Sequence, residues 1–377
     1  YAALYFLQVG WPAWAATSAG AFFFLGARRL AGPADATALY AIGVATFLVC
    51  VSVLLVGRRI ARTLELLNWV MIVCILGAFL ALAVQFVPAR TWLGAATGLA
   101  GFDLETGRFN FLPSGADFFL IAALVAYAGA GGVSNLTLSN WARDKGYGMG
   151  QHAGFISAAA GGHKVEVAHS GFSFTPDAES MERWRGWWRI VKADQWGVFF
   201  TGALLGMVLP ALAYVTFLPH GSDIRSSAIA AALASSVGER SGALLAGGVA
   251  LLGAWILFKT QLDIMDGMTR AITDILWTGN RRVRAWRNGD VRAVYYSVLA
   301  AVVVWGMVAL RLQPIFLLQL GANVAGVVFI IASLHLLYIN TRLLPKELRP
   351  SMWRRAALLA LAAFYAFFVT LSVRGLL

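Results

Sequence analysis

The stretch AYAGAGGVSNLTLSNWARDKGYGMG, residues 126–150, governs how the rest of the chain is read. It closes an apolar run long enough to cross a bilayer. Yet Gly129, Gly131 and Gly132 are followed at once by Ser134, Asn135, Thr137, Ser139 and Asn140. A helix that only had to lie in lipid would carry none of this. Glycine lacks a Cβ and relaxes the backbone, so GAGG is a place where a membrane helix unwinds. Unwound backbone exposes carbonyl oxygens, and these are tolerated at membrane depth only where they line protein or a water-filled cavity.

The surrounding composition supports a lipid solvent. Of 377 residues, 59% are hydrophobic and 13% charged, against roughly a quarter charged in soluble chains. The mean hydropathy is +0.71. A helix needs about 20 mostly apolar residues to cross the hydrocarbon core. Nine runs meet that measure: 1–26, 37–57, 65–87, 117–141, 195–218, 243–262, 293–311, 314–338 and 355–373. None alternates as barrel strands do, so all nine are expected to be helices. The expected fold class is an all-α polytopic membrane protein, with residues 1–377 forming one transmembrane domain. The run that starts at Tyr1 has neither the basic flank nor the cleavage site of a signal peptide. It reads as the start of a chain whose N-terminus lies upstream.

Net charge is +12, which in a soluble domain would point to nucleic acid. Here the basic residues alternate from one connection to the next. Arg58, Arg59 and Arg62, the block from Arg143 to Lys192, Arg270 to Arg292, and Arg342 to Arg355 share one side. By the positive-inside rule that side is cytoplasmic, which places Tyr1 inside and Leu377 outside in a multi-pass inner-membrane protein. No nucleic-acid partner and no obligate protein partner is expected; the bilayer is. The connection 142–194 is a cytoplasmic loop. Thr175-Pro176-Asp177 with Glu179 and Glu182 marks a helix start. Trp184, Trp187 and Trp188 beside Arg183, Arg185 and Arg189 fit either an amphipathic interfacial helix or a solvated loop helix.

Several chemistries find no support. Cys50 and Cys74 stand alone, and the five histidines form no metal-spaced pair. No phosphate loop, H-E-x-x-H or G-x-S-x-G occurs. Neither a cofactor nor enzyme activity is expected.

Two readings fit the GAGG stretch. In one, carbonyls near Ala130, Gly131 and Gly132 join Ser134 and Asn135 in an oxygen-lined site suited to a hard cation. In the other, small residues allow close helix packing and the polar side chains bond across helices. Asn323 and Gln8 are further polar intrusions into apolar runs. Lys259/Asp263 and Asp266/Arg270 are spaced four apart, as helical ion pairs are. His335 lies near an inside end.

The motifs in order resemble the Nramp family of divalent-metal transporters, in a divergent bacterial branch. RRIARTLELLNWVMIVCILGAFLALAV (58–84) is similar to the connection into the family's fifth helix, and GGVSNLTLSNWARDKG (131–146) to its sixth. IMDGMT (264–269) resembles the acidic-Gly motif of the eighth, and LGANVAGVVFIIASLHLLYINTRLLP (320–345) the tenth. The resemblance implies the leucine-transporter-like inverted-repeat fold of the APC superfamily. About nine helices would be present and two would lie upstream, carrying half of the substrate site. It places the family's Met-Pro-His on Gly132, Val133 and Ser134, retains Asn135, and puts its metal-binding Gln on Asn323 and an acid near Gln8. Loss of the thioether leaves oxygen ligands, and loss of His and acid removes proton-relaying groups. The implied substrate is a magnesium- or manganese-like divalent cation, with no proton coupling expected. An amino-acid carrier of the same fold and a non-transporting membrane protein are the competing expectations.

Overall fold

In lipid a backbone has no hydrogen-bond partner but itself, so apolar runs of this length form helices. The computed structural model describes residues 1–56, 58–112, 115–156, 167–219 and 229–376, and the side chains of these other than 56, 58–64 and 376. The elements in order are α1 (Ala2–Val9), α2 (Ala13–Ala27), α3 (Ala36–Val56), α4 (Arg58–Phe86) and α5 (Ala89–Gly98). A two-stranded hairpin, β1 (Phe102–Asp103) and β2 (Arg108–Phe109), precedes α6 (Phe118–Ala126) and α7 (Gly132–Asp144). Then come α8 (Ala178–Ala193), α9 (Thr201–Phe217), α10 (Ile229–Ser241), α11 (Ala243–Gly279) and α12 (Arg281–Ala285). α13 (Val291–Ala309), α14 (Pro314–Tyr338) and α15 (Met352–Leu376) complete the chain.

Among the described residues, seven uninterrupted helices are long and apolar enough to cross a membrane. This is a multi-pass membrane protein. Its outer faces carry side chains that water would not tolerate in such density, among them Val84 at 71% and Val304 at 69% exposure. The two remaining apolar runs are each broken in two. The run 117–141 divides into α6 and α7 around the glycines. The run 1–26, which the sequence reads as one span, divides at Gly10–Pro12 into α1 and α2. Proline at 12 removes a backbone donor, and that is enough to end the α1 ladder.

Three other elements depart from the hydropathy boundaries. α11 runs 37 residues, or about 55 Å at 1.5 Å per residue, so its second half carries Asp263 to Asp274 beyond the apolar run that ends at 262. α4 begins at Arg58, within the connection expected before the third run. α8 begins where the sequence placed it, with the Asp177 carboxylate accepting from the Ser180 N–H at 2.8 Å. That bond holds the Asp177 carboxyl below the usual carboxylate range. α8 then continues through a wide helical turn at 194–200 directly into α9, giving one helical run from Ala178 to Phe217.

Packing centres on α2 and α11, which lie side by side. Ala15, Ser18, Ala19 and Ala21 on α2 and Ala250 and Ala254 on α11 are at most 1% exposed. Small side chains let the two backbones approach, which substitutes for the hydrophobic drive that lipid abolishes. α3 and α13 flank this pair; the Phe47 ring fills the space over Gly306, where a Cβ would lie 2.4 Å from it. α6, α14 and α15 form a second group.

Candidate functional site

The two helix breaks meet. Gln8, the next-to-last residue of α1 and 1% exposed, reaches across to the start of α7. Its Nε2 donates to the Gly131 carbonyl at 3.3 Å, and its Oε1 accepts from the Val133 N–H at 2.9 Å. One amide side chain thereby binds the end of the GAGG turn and the first turn of α7. The turn itself requires glycine: Gly129, Gly131 and Gly132 have φ of +108°, +70° and +34°. Gly132 has a second constraint, since a Cβ there would lie 2.2 Å from Gln8 Oε1 and 2.9 Å from the Ala325 Cα.

The other break is closed in the same manner. Gln261 of α11, also 1% exposed, accepts through Oε1 from the Ala15 N–H in the first turn of α2 at 3.1 Å. The first N–H groups of any helix have no partner within it, so a buried glutamine serves as the cap for each of the two restarting helices. Sequence reasoning found Gln8 but gave it no partner, and it passed over Gln261 altogether. Gln261 sits between Lys259 and Asp263, whose charges mask the signal.

The residues singled out from the sequence divide into two sets. Gly131 and Gly132 lie buried at the break, Ala130 is exposed beside it, and Ser134 and Asn135 follow in the first turn of α7. Ser134 is half-buried and Asn135 exposed. Neither side chain has a hydrogen-bond partner among the described residues; Ser134 borders the break, whereas Asn135, two residues from both Val133 and Thr137 of the buried face, lies on the opposite face of α7. Asn323 stands apart. Gly321 and Ala325 are the α14 residues that press on the breaks, with a Cβ at 321 falling 2.4 Å from the Gln8 carbonyl oxygen. Two residues along a helix is about 200° of rotation, so Asn323 faces away. It donates to the carbonyls of Phe119 and Gln319 at 3.0 and 2.9 Å, and accepts from Ser372 at 2.5 Å. Those bonds tie α14 to α6 and α15. Asn323→Ala is therefore expected to lower thermal stability by about 1–3 kcal/mol, the range for a lost buried hydrogen bond. The same variant is expected to leave the substrate KM of the purified protein unchanged.

Toward the Lys/Arg-rich side the gap below the breaks is closed by polar contacts. Thr137 donates to the Tyr5 hydroxyl at 3.3 Å, and Asn140 donates to Asp274 at 2.5 Å. Arg143 pairs with Asp274 at 2.9 Å, and Arg270 with Asp144 at 2.9 Å and Asp266 at 2.8 Å. The Tyr295 hydroxyl donates to Asp266 at 3.1 Å, and Arg270 also reaches the Ile156 carbonyl. All five charged side chains are at most 23% exposed. The expected pairs within α11, Lys259–Asp263 and Asp266–Arg270, both form. Spacing alone did not reveal that Arg270 also crosses to α7. His335 accepts from or donates to the Tyr1 hydroxyl at 2.9 Å and stacks on its ring, so it is held to α1. His163 and His220 lie outside the described residues.

Among the described residues, no group of three or more His, Cys, Asp or Glu side chains could hold a metal ion. Any cation bound at the break would rest on neutral oxygens. No protein-family model, curated protein or solved structure matches the chain.

Proposed function

We propose that this protein is a carrier of divalent metal cations that works by alternating access, on an inverted-repeat fold of the leucine-transporter kind. The observation that carries the reading is the use of Gln8. A bare helix N-terminus attracts anions, which would favour the carboxylate of an amino acid at α7. Here the Val133 N–H is already taken by Gln8 Oε1. What the break offers a cation is oxygen: carbonyls of the turn at Ala130–Gly132, of which that of Gly131 already accepts from Gln8 and the Ser134 N–H, and the Ser134 hydroxyl. Oxygen-only, uncharged donors suit a hard divalent ion that keeps part of its water shell.

The sequence likeness to Nramp transporters supports the same reading through the order of its motifs. Among the described residues no carboxylate or imidazole stands at the break to carry a proton, so the expected transport is indifferent to a pH gradient.

The test is uptake into proteoliposomes of magnesium, manganese and calcium at two external pH values. Wild type is expected to take up at least one of these ions. Ser134→Ala is expected to weaken apparent affinity about tenfold, the equivalent of about 1.4 kcal/mol for a lost ligand, and Asn135→Ala, on the outer face of α7, far less. Wild type without cation flux, or Ser134→Ala indistinguishable from it, would sink the proposal. Uptake of amino acids in its place would move the site to the organic-solute class.

A further inference from the structure

Away from the breaks, on the Lys/Arg-rich side, α8 and the start of α15 enclose a cleft of about 700 Å³. Arg185, Arg189 and Lys192 project from one face of α8, four and three residues apart, and Arg354 projects from α15. Glu182 is the one carboxylate in the lining. Among the described residues none of the four cations forms an ion pair. Arg354 instead lies between two indoles, its guanidinium carbon 4.7 Å from the Trp188 ring centre and 5.4 Å from that of Trp353. Cation–π contact leaves the guanidinium N–H groups at the edge available.

A second cleft, of about 620 Å³, shares Trp188 and Arg354 with the first, adds Glu347 and Arg349 to the charged lining, and runs down α15 past Ala357, Leu358 and Leu361. These three share a face, and from Arg354 to Leu361 the helix advances about 10 Å. The combined site thus has a cationic end, an aromatic collar and an apolar track that descends along a membrane helix.

We infer that this cleft binds an anionic phospholipid. The phosphate sits among Arg185, Arg189, Lys192 and Arg354, and an acyl chain lies against Leu358 and Leu361. Charge complementarity selects the headgroup, and the apolar track selects a lipid over a free phosphate. Basic pockets beside membrane helices on the cytoplasmic side are where such headgroups bind. The lipid would bridge α8 and α15, which otherwise meet chiefly through Trp188 and Arg354, and so fix the long α8–α9 run against the bundle.

The experiment is native mass spectrometry of the purified protein in mixed micelles containing equimolar phosphatidylglycerol and phosphatidylcholine. The expected result is selective retention of phosphatidylglycerol by wild type. Arg189→Gln/Arg354→Gln should reduce that retention about tenfold or more, given the attraction that each basic residue near the surface contributes. Leu358→Gln, which keeps every charge, is expected to shorten the lifetime of the bound lipid. Equal retention of the two lipids by wild type would overturn the proposal, and this arm needs no variant to fold. Retention unchanged in the double variant would overturn it as well. So would millimolar inorganic phosphate displacing the lipid completely, since the site would then be one for a free anion.

Discussion

Gln8→Leu is expected to unfold at a markedly lower temperature than wild type and to lose most substrate uptake. Leucine matches glutamine in bulk but offers no hydrogen bond. The buried Val133 N–H would be left unpaired, at about 1–3 kcal/mol, while the Gly131 carbonyl would keep only its bond from the Ser134 N–H. The glycine turn would also lose the side chain that fixes its junction with α7, so the oxygens proposed to face the ion would no longer be positioned. Gln8→Glu separates the two effects. A carboxylate still accepts from Val133 but cannot donate to Gly131, and it places a charge beside the proposed site. Stability should fall less than in the leucine variant, and any residual uptake should become dependent on pH. Gly132→Ala probes the same contact from the opposite side, because its methyl group would meet Gln8 Oε1 and the α14 backbone. Thermal unfolding followed by fluorescence-detected size exclusion, with uptake on the same preparations, checks all three. A leucine variant as stable and active as wild type would show that the amide clamp is incidental.

The second large effect is expected at the ion-pair network between α7 and α11. Arg270→Ala removes the one cation that Asp266 and Asp144 share, leaving mostly buried carboxylates without it. Breaking a buried pair by deleting one partner costs about 3–5 kcal/mol. The expected outcome is poor folding or a protein whose Lys/Arg-rich side stands open. Asp274→Asn is the gentler probe. It keeps the shape, weakens the pairing to Arg143, and leaves Arg270 with its partners. A cysteine at Thr137, which is 3% exposed, reports on access to the space under the breaks once Cys50 and Cys74 are replaced. Labelling by an impermeant thiol reagent, added to the Lys/Arg-rich side, is expected to be about tenfold faster with Asp274→Asn, as a shift of about 1.4 kcal/mol toward the open state gives. Equal labelling rates would show that the network braces the helices without sealing the path.

The features legible in the chain are those set by neighbours in sequence. Hydrophobic runs gave the multi-pass helical class because lipid leaves each backbone to satisfy itself. Gly129, Gly131 and Gly132 marked a break because positive φ is a property of the residue. The helix start at Thr175–Asp177 was readable, and Asp266/Arg270 as a pair, because each acts within one helical turn. The break at Gly10–Pro12 was passed over because the apolar run around it is long enough to hide it.

Tertiary structure alone decided which groups meet. Gln8 acts on residues more than a hundred positions away, and Gln261 on a helix start at Ala15; nothing local to either glutamine encodes its partner. Asn323 looks the same in sequence whether it faces the breaks or the opposite side of α14. The packing of Gly321 and Ala325 against α1 and α7 turned it away. The charges 143, 144, 266, 270 and 274 form one network because α7 and α11 lie side by side. Local backbone preference and hydrophobicity are short-ranged, whereas hydrogen bonds and ion pairs take their partners from whichever surfaces the packed helices bring together.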